Sequence, residues 1–156
     1  MPVAVQVVVM GLEKLKARLE KHSAAVNAAV AKEIRKGAIA IETTAKMLIA
    51  NSPRGGRTYN LKTRKGNASV HVASAPGEPP ATRPSGVGGG QLVRGINTVI
   101  DPRDPRIAYV VSRAPYSFWL EFGTKRMGKR PFLKPAEREH RAAISKNIRD
   151  ACRGLA

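Results

Sequence analysis

A chain of 156 residues with 42% apolar content holds material for one core and little for a second, so a single domain is expected. Its 28 Lys and Arg against 11 Asp and Glu give a formal charge of +17, spread along the chain rather than held in a basic tail. Such a field selects anionic partners: nucleic acid, an acidic protein surface or an anionic membrane. Cys152 is the sole cysteine, which excludes an intramolecular disulfide, leaves a zinc site without its usual ligand cluster, and fits a reducing, cytoplasmic site of synthesis.

In chain order, Val3, Val5, Val7 and Val9 alternate with Ala4, Gln6 and Val8, period-two spacing in β-branched residues that reads as a strand over 3–9. The stretch is too short to span a bilayer and lacks a basic flank, so no secretion or membrane anchoring is expected. From Leu12 the period changes. Leu12, Leu15, Leu19, His22, Val26, Val30, Ile34, Ala38, Ile41, Ala45 and Leu48 follow one another at steps of three or four, and predict one helix over 12–50. At about 1.5 Å per residue it would reach nearly 60 Å, against a radius of gyration of about 15 Å for a compact chain of this size. Either it breaks, with Gly37 the least costly place, or it projects toward neighbouring copies.

Asn51-Ser52-Pro53 stops the helix, because the residue before proline avoids helical geometry. Residues 53–91 are rich in Pro, Gly, Arg and Ser and read as a loop region with a strand at Ala68–Ala73. The part from Ser74 to Gly90 reads as an unpacked loop, functional or mobile. Residues 92–112 predict an antiparallel hairpin turning at Asp101-Pro102-Arg103-Asp104-Pro105. Tyr116–Pro135 then carries five of the seven aromatic residues, Tyr116, Phe118, Trp119, Phe122 and Phe132, and is expected to supply the large apolar area of the core or of an interface, with part of it pressed against a neighbouring copy. Periodicity leaves open whether Tyr116–Phe122 is helix or strand. Ala136, His140, Ala143 or Ile144, Ile148, Ala151 and Leu155 predict an amphipathic helix over 135–154. The plan is α+β: a small antiparallel sheet covered by one long N-terminal helix and a C-terminal helix, with a long Pro/Gly-rich loop.

No catalytic constellation is visible, and no enzyme activity, cofactor or metal is expected. His22 and His71 lie in different elements. Glu137 and His140 have the spacing of half a di-metal site but no second pair, and Gly86–Gly90 lacks the Lys-Ser/Thr ending of a phosphate loop. Glu121, inside the aromatic cluster, must be paired or hydrogen-bonded. A salt bridge to Arg126, Lys129 or Arg130 is the expected solution. Arg54, Arg57, Lys62, Arg64 and Lys65 cluster with Tyr59 in one stretch, suited to contact with DNA or an acidic partner without sequence readout.

Tyr116, then Glu121-Phe122-Gly123-Thr124, a basic spacer, Arg130-Pro131-Phe132-Leu133 and Pro135-Ala136 together resemble the signature of the tail-completion (head-to-tail joining, or neck) proteins of long-tailed double-stranded DNA bacteriophages. Ser52-Pro53 resembles the family's close to its first helix, and Gly56-Arg57-Thr58-Tyr59 and Ser74–Pro80 resemble segments of one branch. Where that branch has Thr-Gly-x-Leu before a strand, this chain has Gly88-Gly89-Gly90-Gln91-Leu92. The resemblance implies a non-enzymatic virion protein at the head–tail interface. It would act as a homo-oligomeric ring, six copies favoured and twelve the alternative, between head connector and tail proteins with genomic DNA in its channel and no membrane. On charge alone, the competing expectation is a basic, sequence-independent nucleic-acid-binding protein; a small hydrolase would require a constellation assembled only in space.

Overall fold

The computed structural model describes residues 5–7, 24–62, 68–82 and 90–154. In chain order its elements are β1 (Val5–Val7), α1 (Ala24–Ala50), β2 (Thr58–Lys62), β3 (Ala68–Val72), α2 (Gln91–Gly95), β4 (Ile96–Ile100), β5 (Ala108–Ser112), α3 (Ser117–Phe122) and α4 (Leu133–Arg153). The architecture is α+β, with a three-stranded antiparallel sheet in the order β1-β5-β4 and a separate β2-β3 hairpin.

The apolar repeat of α1 does what its spacing implies. Val26, Val30, Ile34, Gly37, Ala38, Ile41, Ala45 and Ile49 form its buried face, which packs on β4 and β5 and on α4. Helix runs uninterrupted through Gly37, so this residue is not a break. A Cβ there would lie 2.6 Å from Ile144 Cγ1 of α4; the missing side chain sets the close approach of the two helices. Further along, Thr44 Oγ1 and His140 Nε2 are hydrogen-bonded at 2.7 Å. Numbers rise along α1 as they fall along α4, so the pair is antiparallel. The predicted stretch 12–23, with His22, lies outside the described residues, as does Leu155.

β5 is the central strand, with Val110 opposite Val7 on one side and Thr98 on the other. Its inner residues Ala108, Val110 and Ser112 are buried while Tyr109 and Val111 are half-exposed, the alternation of a sheet covered on one face. Asp101 shapes the turn into β5 by accepting hydrogen bonds from the N–H groups of Arg103 and Asp104. Asp104 then pairs with Arg106 at 2.9 Å, and Arg106 also donates to Asn27 of α1.

Three expectations are corrected. The first strand of the hairpin starts at Ile96, not Leu92: Gly90 takes a positive φ of 78° and residues 91–95 form a helical turn that buries Leu92. Thr58–Lys62, read as loop, is a strand; Thr-Tyr-Asn-Leu supplies β-compatible residues and the predicted strand at 68 supplies their partner. The first part of the Ser74–Gly90 loop is packed. Ser74 and Pro80 are buried, Ser52 Oγ donates to the Pro79 carbonyl, and Thr82 Oγ1 donates to the Ile49 carbonyl at the end of α1. The Thr82 contact reaches a carbonyl of the last turn of α1, where helix termination leaves acceptors over. Residues 83–89 lie outside the described residues.

Candidate functional site: the aromatic corner

The chain from Tyr116 to Pro135 folds back on itself around Glu121. In α3, residues 118, 119 and 122 share one helical face and 117, 120 and 121 the other. The inner face buries Ser117 and Glu121 and packs Leu120 on the core. Gly123 ends the helix at φ 79°, and a Cβ there would meet Lys129 N and Met127 O at 2.9 Å, so glycine is required both for conformation and for space. Thr124 builds the following turn: its N–H donates to the Met127 carbonyl at 2.8 Å, and its hydroxyl oxygen accepts from the N–H groups of Arg126 and Met127. The returning strand is tied to α3 by Arg130 N–H donating to the Leu120 carbonyl at 2.6 Å.

Glu121 is 3% exposed, and the expected salt bridge is not its solution. Its carboxylate accepts from the backbone N–H groups of Phe132 at 2.9 Å, Leu133 at 3.1 Å and Lys134 at 2.9 Å. These are N-terminal donors of α4, which no carbonyl inside the helix reaches. The next residue, Pro135, has no N–H to satisfy and a φ preset for the first turn. A carboxylate also complements the positive end of the helix dipole. Arg130 is engaged elsewhere: its Nε donates to the Ser74 carbonyl at 3.1 Å, and beside it Gly77 N–H donates to the Lys129 carbonyl at 2.8 Å. Gly128 leaves room for Pro76, which would sit 2.8 Å from a Cβ. The segment 74–77 thus rests on the basic turn, joining two stretches the sequence analysis singled out separately.

Of the two roles expected for the aromatic stretch, the core takes Phe132, fully buried beside Leu133, and Tyr116, packed against it, while the aromatics of α3 lie outside the core. Phe118 is 41%, Trp119 53% and Phe122 46% exposed. Phe118 and Phe122 pack at 4.8 Å between ring centroids, and Lys134 Nζ stands 4.9 Å from the Phe122 centroid. Lys134 was missed as a participant; the helical spacing of 118, 119 and 122 opposite Ser117 and Glu121 was the available signal of an outward aromatic face.

The basic cluster is only partly assembled. Arg54 and Arg57 are exposed, the Arg57 guanidinium lies 5.8 Å from the exposed Tyr59 ring, Lys62 ends β2, and Arg64 and Lys65 lie outside the described residues. Tyr59 stacks on His71 across the hairpin, with centroids 6.3 Å apart. Glu137 pairs with Arg141 at 2.6 Å and His140 with Thr44, and no group of three potential metal ligands occurs among the described residues. A cleft of about 470 Å³ opens beside the corner, its walls including Ile49, His71, Ser74, Tyr116 and Arg130. The Ser74 hydroxyl there has no hydrogen-bond partner, so it lacks the attached base that a serine nucleophile uses.

Comparison with protein-family models, curated proteins and solved structures gives no match.

Proposed function

We propose that the chain is a non-enzymatic structural protein of a tailed double-stranded DNA phage or prophage particle, made in the host cytoplasm, that completes the tail and joins it to the head as a ring of its own copies around the DNA channel. The observation that carries the reading is that the residues of the family-like signature act as one mechanical unit. Glu121 caps the helix opened by Arg130-Pro131-Phe132-Leu133, Gly123 makes the reversal possible, and Thr124 holds the turn between them. Surfaces suited to contact between copies are also present. Among the described residues the β2-β3 hairpin pairs with no other strand; it exposes Tyr59 and Val70 and there offers its edges to a neighbouring strand. Ile39 and Met47 stand exposed on α1, two helical turns apart. The positive charge suits genomic DNA in the channel and contact with head connector and tail proteins.

A second reading, a basic protein that binds nucleic acid without sequence preference, is favoured by the Arg57–Tyr59 pair on the exposed hairpin. Light scattering of the purified protein at low and high salt separates the two, with duplex DNA titrated in parallel. The joining protein is expected as a discrete multimer, about six or twelve copies for a closed ring, whose mass persists in salt and whose hold on free DNA is weak. A monomer that binds duplex DNA with a steep salt dependence would overturn it in favour of the second reading.

A further inference from the structure

Three of the chain's seven aromatic side chains stand half in water on a single helical turn. Exposed apolar clusters of this kind mark contact surfaces; Trp and Phe are enriched at interfaces, and Trp is among the residues that dominate binding hot spots. The turn that carries them is rigid. Its inner face is held by Glu121 on α4, its end by Arg130 N–H on the Leu120 carbonyl, and its beginning by Ser117 N–H on the Ala114 carbonyl at 3.0 Å. Little ordering cost remains to be met on binding.

Charge selects the occupant. Between residues 113 and 134 the cations are Arg113, Lys125, Arg126, Lys129, Arg130 and Lys134, while the only acid, Glu121, is buried and committed to backbone. Lys125, Arg126 and Lys129 are exposed. A second copy is a poor match. Among the described residues only Glu139 and Asp150 carry carboxylates not already held within the chain by a hydrogen bond or ion pair, and with 28 Lys and Arg against 11 Asp and Glu another copy would bring mainly cations to these cations. Nucleic acid is a poorer match, because Phe118 and Phe122 pack on each other at 45° and Lys134 stands over Phe122, which leaves Trp119 as the one ring of the three open to a stacked base.

We infer that the outer face of α3 is a docking surface for an acidic protein segment, in which Phe118, Trp119 and Phe122 insert among aliphatic side chains while Lys125, Arg126 and Lys129 meet carboxylates around them. This surface is distinct from the hairpin and α1 contacts assigned above to the ring, and its occupant is a different protein from the chain itself.

Trp119 is the only tryptophan, so its fluorescence reports on this face alone. The test is selection from a random displayed-peptide library on the full chain, with counter-selection on the Phe118→Ala, Trp119→Ala, Phe122→Ala triple variant. Selected peptides are expected to combine Asp or Glu with Leu, Ile or Met. A synthetic one should shift Trp119 emission to the blue and, followed by the anisotropy of a label on the peptide, bind Trp119→Ala at least about 10-fold more weakly. A second variant, Lys125→Glu with Arg126→Glu and Lys129→Glu, leaves the aromatics in place and should abolish the blue shift. The inference is overturned if no peptide survives counter-selection or if survivors carry no excess of acid. It is equally overturned if Trp119 emission of the protein alone turns blue with concentration, which would assign the face to a second copy, or if an oligo-dT strand quenches Trp119 where the acidic peptides leave its emission unchanged.

Discussion

Phe122 and Phe132 flank the same turn, yet one is 46% exposed and the other fully buried. Both belong to the stretch that composition marks as the apolar material of the core or of an interface. The difference lies in where Glu121 puts its carboxylate. By capping α4 it draws Phe132 and Leu133 into the interior and turns the opposite side of α3 outward. The inner half of the corner therefore bears on stability, and the outer half bears on what the protein touches.

The largest test of that division is Glu121→Ala. It leaves the N–H groups of Phe132, Leu133 and Lys134 without their acceptor in a buried place, and removal of a helix cap together with buried charge-assisted bonds is expected to cost about 3 kcal/mol. Urea unfolding followed by circular dichroism measures it. Glu121→Gln keeps an acceptor on only one of the two oxygens and should fall between the variant and the parent. A loss below about 1 kcal/mol for Glu121→Ala would mean that water replaces the cap and that the corner is not built around this carboxylate. Next comes Gly123→Ala, at about 2 kcal/mol, since it combines a positive φ with a Cβ 2.9 Å from backbone atoms of Met127 and Lys129.

The sequence made the helical parts legible because period-3.6 burial leaves a long, redundant trace. Val26 to Ala45 was readable residue by residue, and so was Ile144 to Ile148. The β4-β5 hairpin was readable from its turn, although Leu92–Gly95 was absorbed into the strand because an apolar residue before a strand carries no mark of a helical turn. The corner was harder. Five aromatics in one stretch indicate large apolar area, but only the placement of each on a face decides core or surface, and the spacing of 118, 119 and 122 becomes a signal only once Tyr116–Phe122 is known to be a helix rather than a strand. Glu121 needs a partner, and the cations beside it in sequence point to ion pairing, whereas the donors it meets are backbone N–H groups that carry no residue signature. The packing of Ser74–Pro80 on the basic turn depends on Gly77 N–H and the Lys129 carbonyl, again main chain, and so was hidden among its prolines and glycines.

Glu42 is the same device placed nearer water, and it sharpens the comparison. Its carboxylate accepts from Thr98 N–H of β4 at 2.6 Å and from Lys46 Nζ at 2.5 Å, linking α1 to the sheet. Burial alone would raise its pKa; the bonds from Lys46 and Thr98 more than offset this and hold it below the ordinary value of 4.5. A depressed folded-state pKa stabilises the protein above the unfolded value, and the contribution disappears as pH falls through the folded one. Glu42→Gln is therefore expected to cost about 1 kcal/mol at neutral pH and progressively less between about pH 5 and pH 3. Paired urea titrations of the two proteins across that range check it; a difference that stays constant with pH would assign the cost to packing rather than to charge.

The smallest effects belong to the outer aromatics, and they decide whether the outer half is free. Trp119 is more than half exposed, so Trp119→Ala should change stability by no more than about 0.5 kcal/mol. Phe122→Ala should cost about 1 kcal/mol, because it forfeits the tilted contact with Phe118 and the Lys134 ammonium above its ring. Thermal and urea melts by circular dichroism measure both without relying on tryptophan emission. If Trp119→Ala cost 2 kcal/mol or more, its ring would be supporting the fold, and the exposed face of α3 would lose its standing as a contact surface. If both fall where expected, Trp119 is held in water at almost no benefit to the isolated chain and Phe122 at a small one, and the larger part of their contribution must be sought in a complex.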